Sequence, residues 1–343
     1  MRMKHILSMI AAAAMLSASV PATYGQAAPP AKSQEKAKAK AAAKKKAAVP
    51  KRPIVAATEA DVPYGTHARQ VVDFFKAPSD KPTPVVLFIH GGGWVNGDKS
   101  GVQNSLDIAK LLKNGISVVA VQYRMVPDAQ ANGVEPPVKW PLEDARRALQ
   151  FVRSKAKEWN IDKSRIVAHG GSAGACSSLW LAMHDDMAQP DSNDPVARES
   201  SRLAGVVVSG AQTGLDPKVN REWMPNMSYG GHAFGFRKDK GGAEEFQRFY
   251  DGREKVLAWI REYSPIEHIS KDDPPMILLY NGDKVVVKGE PQTDPTHSPL
   301  LGKMLEEKAK PLGVKVVVSY PAEPVAPYRQ PTESLITLIG EIR

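Results

Sequence analysis

Apolar residues gather into short runs along the chain, with polar or glycine-rich stretches between them. Gln70-Val-Val-Asp-Phe-Phe75 alternates, as a strand with one polar face does. Pro84–His90, Ile116–Tyr123, Ile166–Ala168, Ala204–Ser209, Met276–Tyr280 and Val314–Tyr320 are more continuous apolar runs, and Ile116–Tyr123 is apolar on both faces. That is the pattern of strands buried inside a parallel sheet. Between them, Leu106–Asn114 (with Gly115 as its stop), Leu142–Trp159, Ala175–Met183 and Leu300–Lys308 read as helices. Strands alternating with helices predict a doubly wound, mostly parallel α/β sheet. No internal repeat interrupts it.

The first sixty residues do not share this pattern. Met1–His5 is basic and Ile6–Val20 is apolar and alanine-rich, with small residues for cleavage at Val20-Pro-Ala22 or Gln26-Ala27. Residues 1–26 therefore read as a secretory signal peptide, too short and wrongly flanked for a membrane span. No other long apolar run occurs, so no integral membrane span is expected, and the protein is expected to be periplasmic or secreted. Residues 27–60 are largely alanine and lysine and cannot bury a core; they read as a disordered linker. The folded domain is expected over residues 61–343, beginning in earnest at Tyr64.

Composition fits one large domain: 343 residues, 42% hydrophobic and 24% charged. The net charge of +9 suggests a polyanion partner until it is located. Residues 1–52 hold eleven Lys/Arg and one acid, so the rest of the chain is near neutral. The basicity belongs to the tail, and nucleic acid is not an expected partner. Cys176 is the single cysteine, which excludes an intramolecular disulfide; it reads as a small packed side chain.

Two glycine turns carry the chemistry. In Ile166-Val-Ala-His-Gly-Gly-Ser-Ala-Gly-Ala175 a strand ends at Gly170 and a helix follows at once, with Ser172 on the turn between them. Such a turn strains the serine backbone and lifts its hydroxyl above the positive end of a helix. Upstream, Phe88-Ile-His-Gly-Gly-Gly-Trp94 is another strand running into glycines. Backbone N–H groups facing a dry pocket stabilise a developing alkoxide by about 3 kcal/mol each. Gly92, Gly93 and Ala173 are the candidate donors. A phosphate-binding loop would want Lys-Ser/Thr at Walker spacing after the glycines, and none follows.

His90-Gly-Gly-Gly-Trp94 together with Gly170-Gly-Ser-Ala-Gly174 resembles the α/β-hydrolase esterases of the hormone-sensitive-lipase-like and bacterial feruloyl-esterase-like group. Tyr123-Arg124, Pro141–Arg153 and Trp159–Ile166 agree with it, and the resemblance runs from about Tyr64 to about Tyr320. It implies an α/β-hydrolase sheet with a cap insertion, placed at residues 210–265, and a serine carboxylesterase acting on short acyl or feruloyl esters, on small molecules or polysaccharides. It implies no cofactor and no metal.

The resemblance breaks at the base. A serine hydroxyl needs a general base, and the base an orienting carboxylate. This fold orders them Ser, Asp/Glu, His, with the histidine after the last strand. Here that loop reads Pro321–Pro331 and holds no histidine. Only His297 keeps the order Ser172, Asp283, His297; Asp294 and Glu290 are alternative carboxylates. A second possibility is that His232 or another cap residue reaches in. A third is that the base is lost and the protein binds rather than turns over its ligand. A peptidase shares the fold, but nothing marks a peptide subsite.

The remaining motifs are read as structural. Asp144 and Arg124 hold the top of the sheet. His90 belongs to the glycine turn, His169 packs within the sheet, and His268 fixes a loop. The aromatics Trp223, Tyr229, Phe234 and Phe236 either line the site or close the cap's own core. Asp185, Asp186, Asp191 and Asp194 lack the spacing of a calcium loop and read as solvated.

Overall fold

A computed structural model describes residues 52–342 apart from 239–240 and 283. The stretch read as a signal peptide and most of the expected linker lie outside the described residues. The sheet begins at Glu59, so the last two residues of the expected linker are already strand.

Eight strands form one sheet: β1 (Glu59–Pro63), β2 (Val71–Phe75), β3 (Thr83–Ile89), β4 (Ser117–Val121), β5 (Ile161–Gly171), β6 (Gly205–Ser209), β7 (Met276–Leu279) and β8 (Val316–Ser319). Their order is β1-β2-β4-β3-β5-β6-β7-β8. The β1–β2 and β2–β4 pairs are antiparallel and the other five are parallel. Alternate residues of the central strands feed two separate cores. Val85, Leu87, Ile89, Val206 and Val208 face one layer. Val86, Phe88, Val118, Val167 and Val207 face the other. Helices cover both faces, which is why these strands carry no polar face.

The helices that matter here are α1 (Ile108–Lys113), α2 (Lys139–Ser154), α3 (Ala173–Met183), α4 (Pro217–Trp223), α5 (Ala243–Gly252), α6 (Leu257–Tyr263), α7 (Pro299–Ala309) and α8 (Pro331–Glu341). The helix expected over Leu142–Trp159 is broken at Lys155, where ψ is near 0°, and resumes for one turn. The insertion between β6 and β7 is helical. Phe234, Phe236 and Phe246 all pack on Phe249, with ring centroids 5.3 to 6.3 Å apart. These four phenylalanines thus close the insertion's own core.

Asp144 is buried and takes Arg124 in a bidentate pair, with Arg124 Nη2 2.6 Å from Oδ1 and Nε 2.9 Å from Oδ2. Gln70 Nε2 donates to the same carboxylate at 2.8 Å. This ties α2 to the end of β4 and to the start of β2.

Candidate active site

Ser172 sits between β5 and α3 with φ 52° and ψ −122°. A non-glycine residue with positive φ costs about 1–3 kcal/mol and persists only where its surroundings enforce it. Two contacts enforce it here. The Ser172 N–H donates to the Ser209 carbonyl at 2.9 Å, and its carbonyl accepts from Cys176 N at 3.0 Å as the first turn of α3 closes. Gly174 must be glycine: a Cβ there would drive into the Ile89 carbonyl oxygen, so α3 could not rest against the end of β3. Cys176 is fully buried in α3, and burial raises its thiol far above its ordinary pKa. It has no role as a second nucleophile.

The upstream glycine turn lies against Ser172. A Cβ on Gly91 would stand 3.5 Å from Ser172 Cβ and 2.5 Å from the Gly171 carbonyl oxygen. Gly92 and Gly93 adopt φ of 107° and 61°. The N–H groups of Gly92, Gly93 and Ala173 donate to no protein acceptor among the described residues. Trp94 pins this turn to α3. Its ring is fully buried and its Nε1 donates to Ser177 Oγ at 3.0 Å. His90 stacks on Tyr123 at 4.1 Å, and its Nδ1 meets the Gly91 carbonyl oxygen at 2.8 Å. Burial holds its pKa below the ordinary value. Burial likewise pushes His169 down to about 4, and its Nδ1–H donates to the Val207 carbonyl at 2.6 Å. Both rings are occupied by the scaffold.

His297 Nε2 lies 2.9 Å from Ser172 Oγ. Its Nδ1 lies 2.8 Å from Asp294 Oδ2. Both residues belong to one tight turn, Pro295–His297, with Asp294 as its N-cap. A hydroxyl, an imidazole and a carboxylate thus stand in line, and the imidazole can take the hydroxyl proton while the carboxylate holds the ring's tautomer. Asp283 lies outside the described residues. Glu290 is not bonded to His297; it lines the cavity beside it.

The ring reaches Ser172 because a glycine, Gly210, follows β6. A Cβ on Gly210 would lie 3.2 Å from His297 Cδ2. Gln212 Nε2 donates to the Thr296 carbonyl at 2.7 Å, and Asn226 bonds Gln292 in both directions at 2.7 and 3.0 Å. The insertion therefore braces the turn that carries His297. No sequence signal marked Gly210, Gln212 or Asn226 for this duty.

His232, the alternative base, lies on the other side. The Gly93 Cβ position would be 3.6 Å from both His232 Nε2 and Tyr229 Oη, and both of those atoms are buried without a partner among the described residues. His232 Nδ1 faces Glu245 at 3.5 Å. Burial acts to raise the Glu245 carboxyl, but hydrogen bonding and charge at His232, with the Arg237 guanidinium, together outweigh it and hold the pKa below its ordinary value. His232 and Tyr229 thus wall the space over Gly93, and it is His297 that meets Ser172. A cavity of about 920 Å³ borders His297 on another side, lined among others by Ser209, Val286, Gln292 and Asp294.

Comparison with known proteins gives three findings. A family model described as BD-FAE matches residues 72–293. Esterase LipC of Mycobacterium tuberculosis is 24% identical over 240 residues, which is 66% of this chain and 51% of LipC. The chain spans about half the length of the first curated relatives it matches. Among solved structures, a truncated carbohydrate esterase from gut microbiota superposes with a TM-score of 0.56 at 19% identity, covering 80% of this chain and 90% of that one. An acetyl ester-xyloside bifunctional hydrolase from Caldicellulosiruptor lactoaceticus gives 0.52 at 22% identity, covering 83% and 89%. Those two likenesses show the fold. No helix among the described residues is long and apolar enough to cross a membrane.

Proposed function

The chain belongs to the BD-FAE family, among the α/β-hydrolases of the hormone-sensitive-lipase-like and feruloyl-esterase-like group, and from that premise we propose that it is a serine carboxylesterase. The 2.9 Å contact between Ser172 Oγ and His297 Nε2 carries the reading. Ser172 Oγ attacks the ester carbonyl carbon while its proton passes to His297 Nε2. The N–H groups of Gly92, Gly93 and Ala173 hold the oxyanion. His297 then gives the proton to the departing alkoxide as the ester C–O bond breaks. Water, activated by the same ring, attacks the acyl-serine and releases the carboxylic acid. Asp294 stabilises the imidazolium; Asp283 is the other carboxylate that the chain order offers.

Short acyl or feruloyl esters are the proposed substrates, with a sugar of a polysaccharide as the alcohol. The cavity beside His297 is of the size that takes a ligand of one or two rings, while His232 and Tyr229 close the space over Gly93. Export fits a polymeric substrate: we propose that residues 1–26 direct the chain across a membrane and are removed.

A short-chain nitrophenyl ester tests the core of this reading. Ser172→Ala and His297→Ala should each lower kcat by about 10⁴–10⁶-fold, leaving the residue of catalysis that binding and the oxyanion donors supply. Equal slow hydrolysis by the wild type and Ser172→Ala would mean a binding protein on an esterase scaffold.

A further inference from the structure

The far end of the nucleophile helix carries a second cluster of side chains. We propose that His184, Glu262 and His268 bind a divalent transition-metal ion of the zinc class. A nitrogen from each imidazole and a carboxylate oxygen of Glu262 lie within 4.8 Å of one another. A tetrahedral ion about 2.0–2.1 Å from each ligand needs them roughly 3.3 Å apart. One pair already meets that: His184 Nε2 is 3.4 Å from Glu262 Oε1. His268 donates through Nε2 to the Glu262 carbonyl, so it would coordinate through Nδ1 after a side-chain adjustment.

Those backbones come from three elements. His184 follows the last residue of α3, Glu262 is in the last turn of α6, and His268 caps the turn Pro265–Glu267. Trp180 Nε1 and His268 Nε2 both donate to the Glu262 carbonyl, at 2.8 and 2.6 Å, and Arg202 donates to the His184 carbonyl at 2.9 Å. A metal site rests on this kind of outer bonding, which fixes the position and tautomer of the ligating rings. His184 shows it directly: its Nδ1–H donates to the Asp185 carbonyl at 3.0 Å, which turns Nε2 toward Glu262.

The two imidazoles stack with centroids 4.5 Å apart beside the carboxylate, so one divalent ion can reach all three groups. Two imidazoles and a carboxylate are a ligand set that suits zinc, nickel or copper rather than calcium. The rings are half-buried and Glu262 is exposed, so the ion has an entry path and a fourth position for water.

The ion would not join the ester chemistry. His184 is twelve residues beyond Ser172, about 18 Å along the helix. It would instead fasten the end of α3 to the segment that returns from the insertion. The site stands independently of the esterase reading, so each can fail without the other.

Zinc titrated calorimetrically into the tag-free full chain should bind at one ion per chain. His184→Ala and His268→Ala should weaken that binding at least about 10-fold, and Glu262→Gln should weaken it as well. Ester hydrolysis by these variants in chelator should match the wild type, showing that they fold. His297→Ala should bind zinc normally. The Trp180 ring stands 5.0 Å from His184, so copper at this site should quench its fluorescence, and Trp180→Phe should remove that quenching while binding persists. No saturable zinc binding, binding indifferent to both histidine changes, or binding lost on His297→Ala would overturn the proposal.

Discussion

Two neighbouring loops leave the carboxyl edge of the sheet, one after β7 and one after β8, and they have divided the work differently from what the fold's usual chain order leads one to expect. The loop after β7 ends in the turn that holds Asp294 and His297 against Ser172. The loop after β8 holds no histidine. Its Tyr320 hydroxyl donates to Glu323 Oε1 at 2.5 Å, and Lys303 of α7 pairs with Glu323 Oε2 at 2.8 Å. One loop brings a ring to Ser172 and the other closes on itself. Chemistry requires a ring nitrogen about 3 Å from the serine oxygen and does not prescribe which strand supplies it. Since β7 and β8 are adjacent, a ring carried one strand inward can still reach Ser172.

The most forceful way to break this comparison is to remove the ring. If the β7 loop carries the base, Ser172→Ala, His297→Ala and the double variant should all fall to the same low rate, because residues that act as a unit do not add. The carboxylate comes next. Asp294→Asn should lower kcat by about 10³–10⁴-fold, since the amide would favour the wrong tautomer of His297. Asp283→Asn should stay near the wild-type rate. A reversal of those two results, read in the same nitrophenyl ester assay, would move the orienting acid to position 283.

How much of this could be read from the residues depends on what each one requires. The central strands were legible because both of their faces are buried, so nearly every position in their middles is apolar. β1 was not, because it is an edge strand whose residues Glu59–Pro63 are almost all exposed and carry no hydrophobic pattern. β5 was seen only from Ile166, because Asp162–Arg165 point to solvent and hide the strand's first half. Ser172 and the glycines announce themselves because a strained turn and close backbone approach exclude other side chains. His297 was reachable only by elimination along the chain. Its pairing with Asp294 depends on a single tight turn that brings positions three apart face to face, and a loop rich in Pro, Thr and Asp does not reveal such a turn in advance. The bracing by Gln212 and Asn226 joins residues 84 and 66 positions apart, which no local pattern encodes.

Gly210 tests whether the β7 loop depends on its neighbour strand. Gly210→Ala places a methyl 3.2 Å from the His297 ring and forces a side chain onto φ 58°. The backbone strain should cost about 1–2 kcal/mol of stability. A ring displaced by a few tenths of an ångström should lose about 10-fold in kcat, with KM little changed, because the base is needed in the transition state and not for binding. Thermal melting and steady-state kinetics read the two effects separately. A variant that loses stability but keeps kcat would show that the ring has room to spare.

The smallest effect is expected on the other loop, and it is the sharper test because it asks for nothing to happen. Glu323→Gln keeps the shape of the side chain and removes its charge. The Lys303 pair lies at the surface, where such pairs contribute about 0–1 kcal/mol, so melting should shift by no more than that implies. The Tyr320 hydroxyl can still donate to the amide oxygen, so the loop should keep its form. The ester hydrolysis rate should remain within about twofold of the wild type, because no atom of this loop takes part in the proton transfer between Ser172 and His297. A large fall in kcat with unchanged melting would mean that the loop after β8 does reach the substrate, and the contrast between the two loops would then be one of degree.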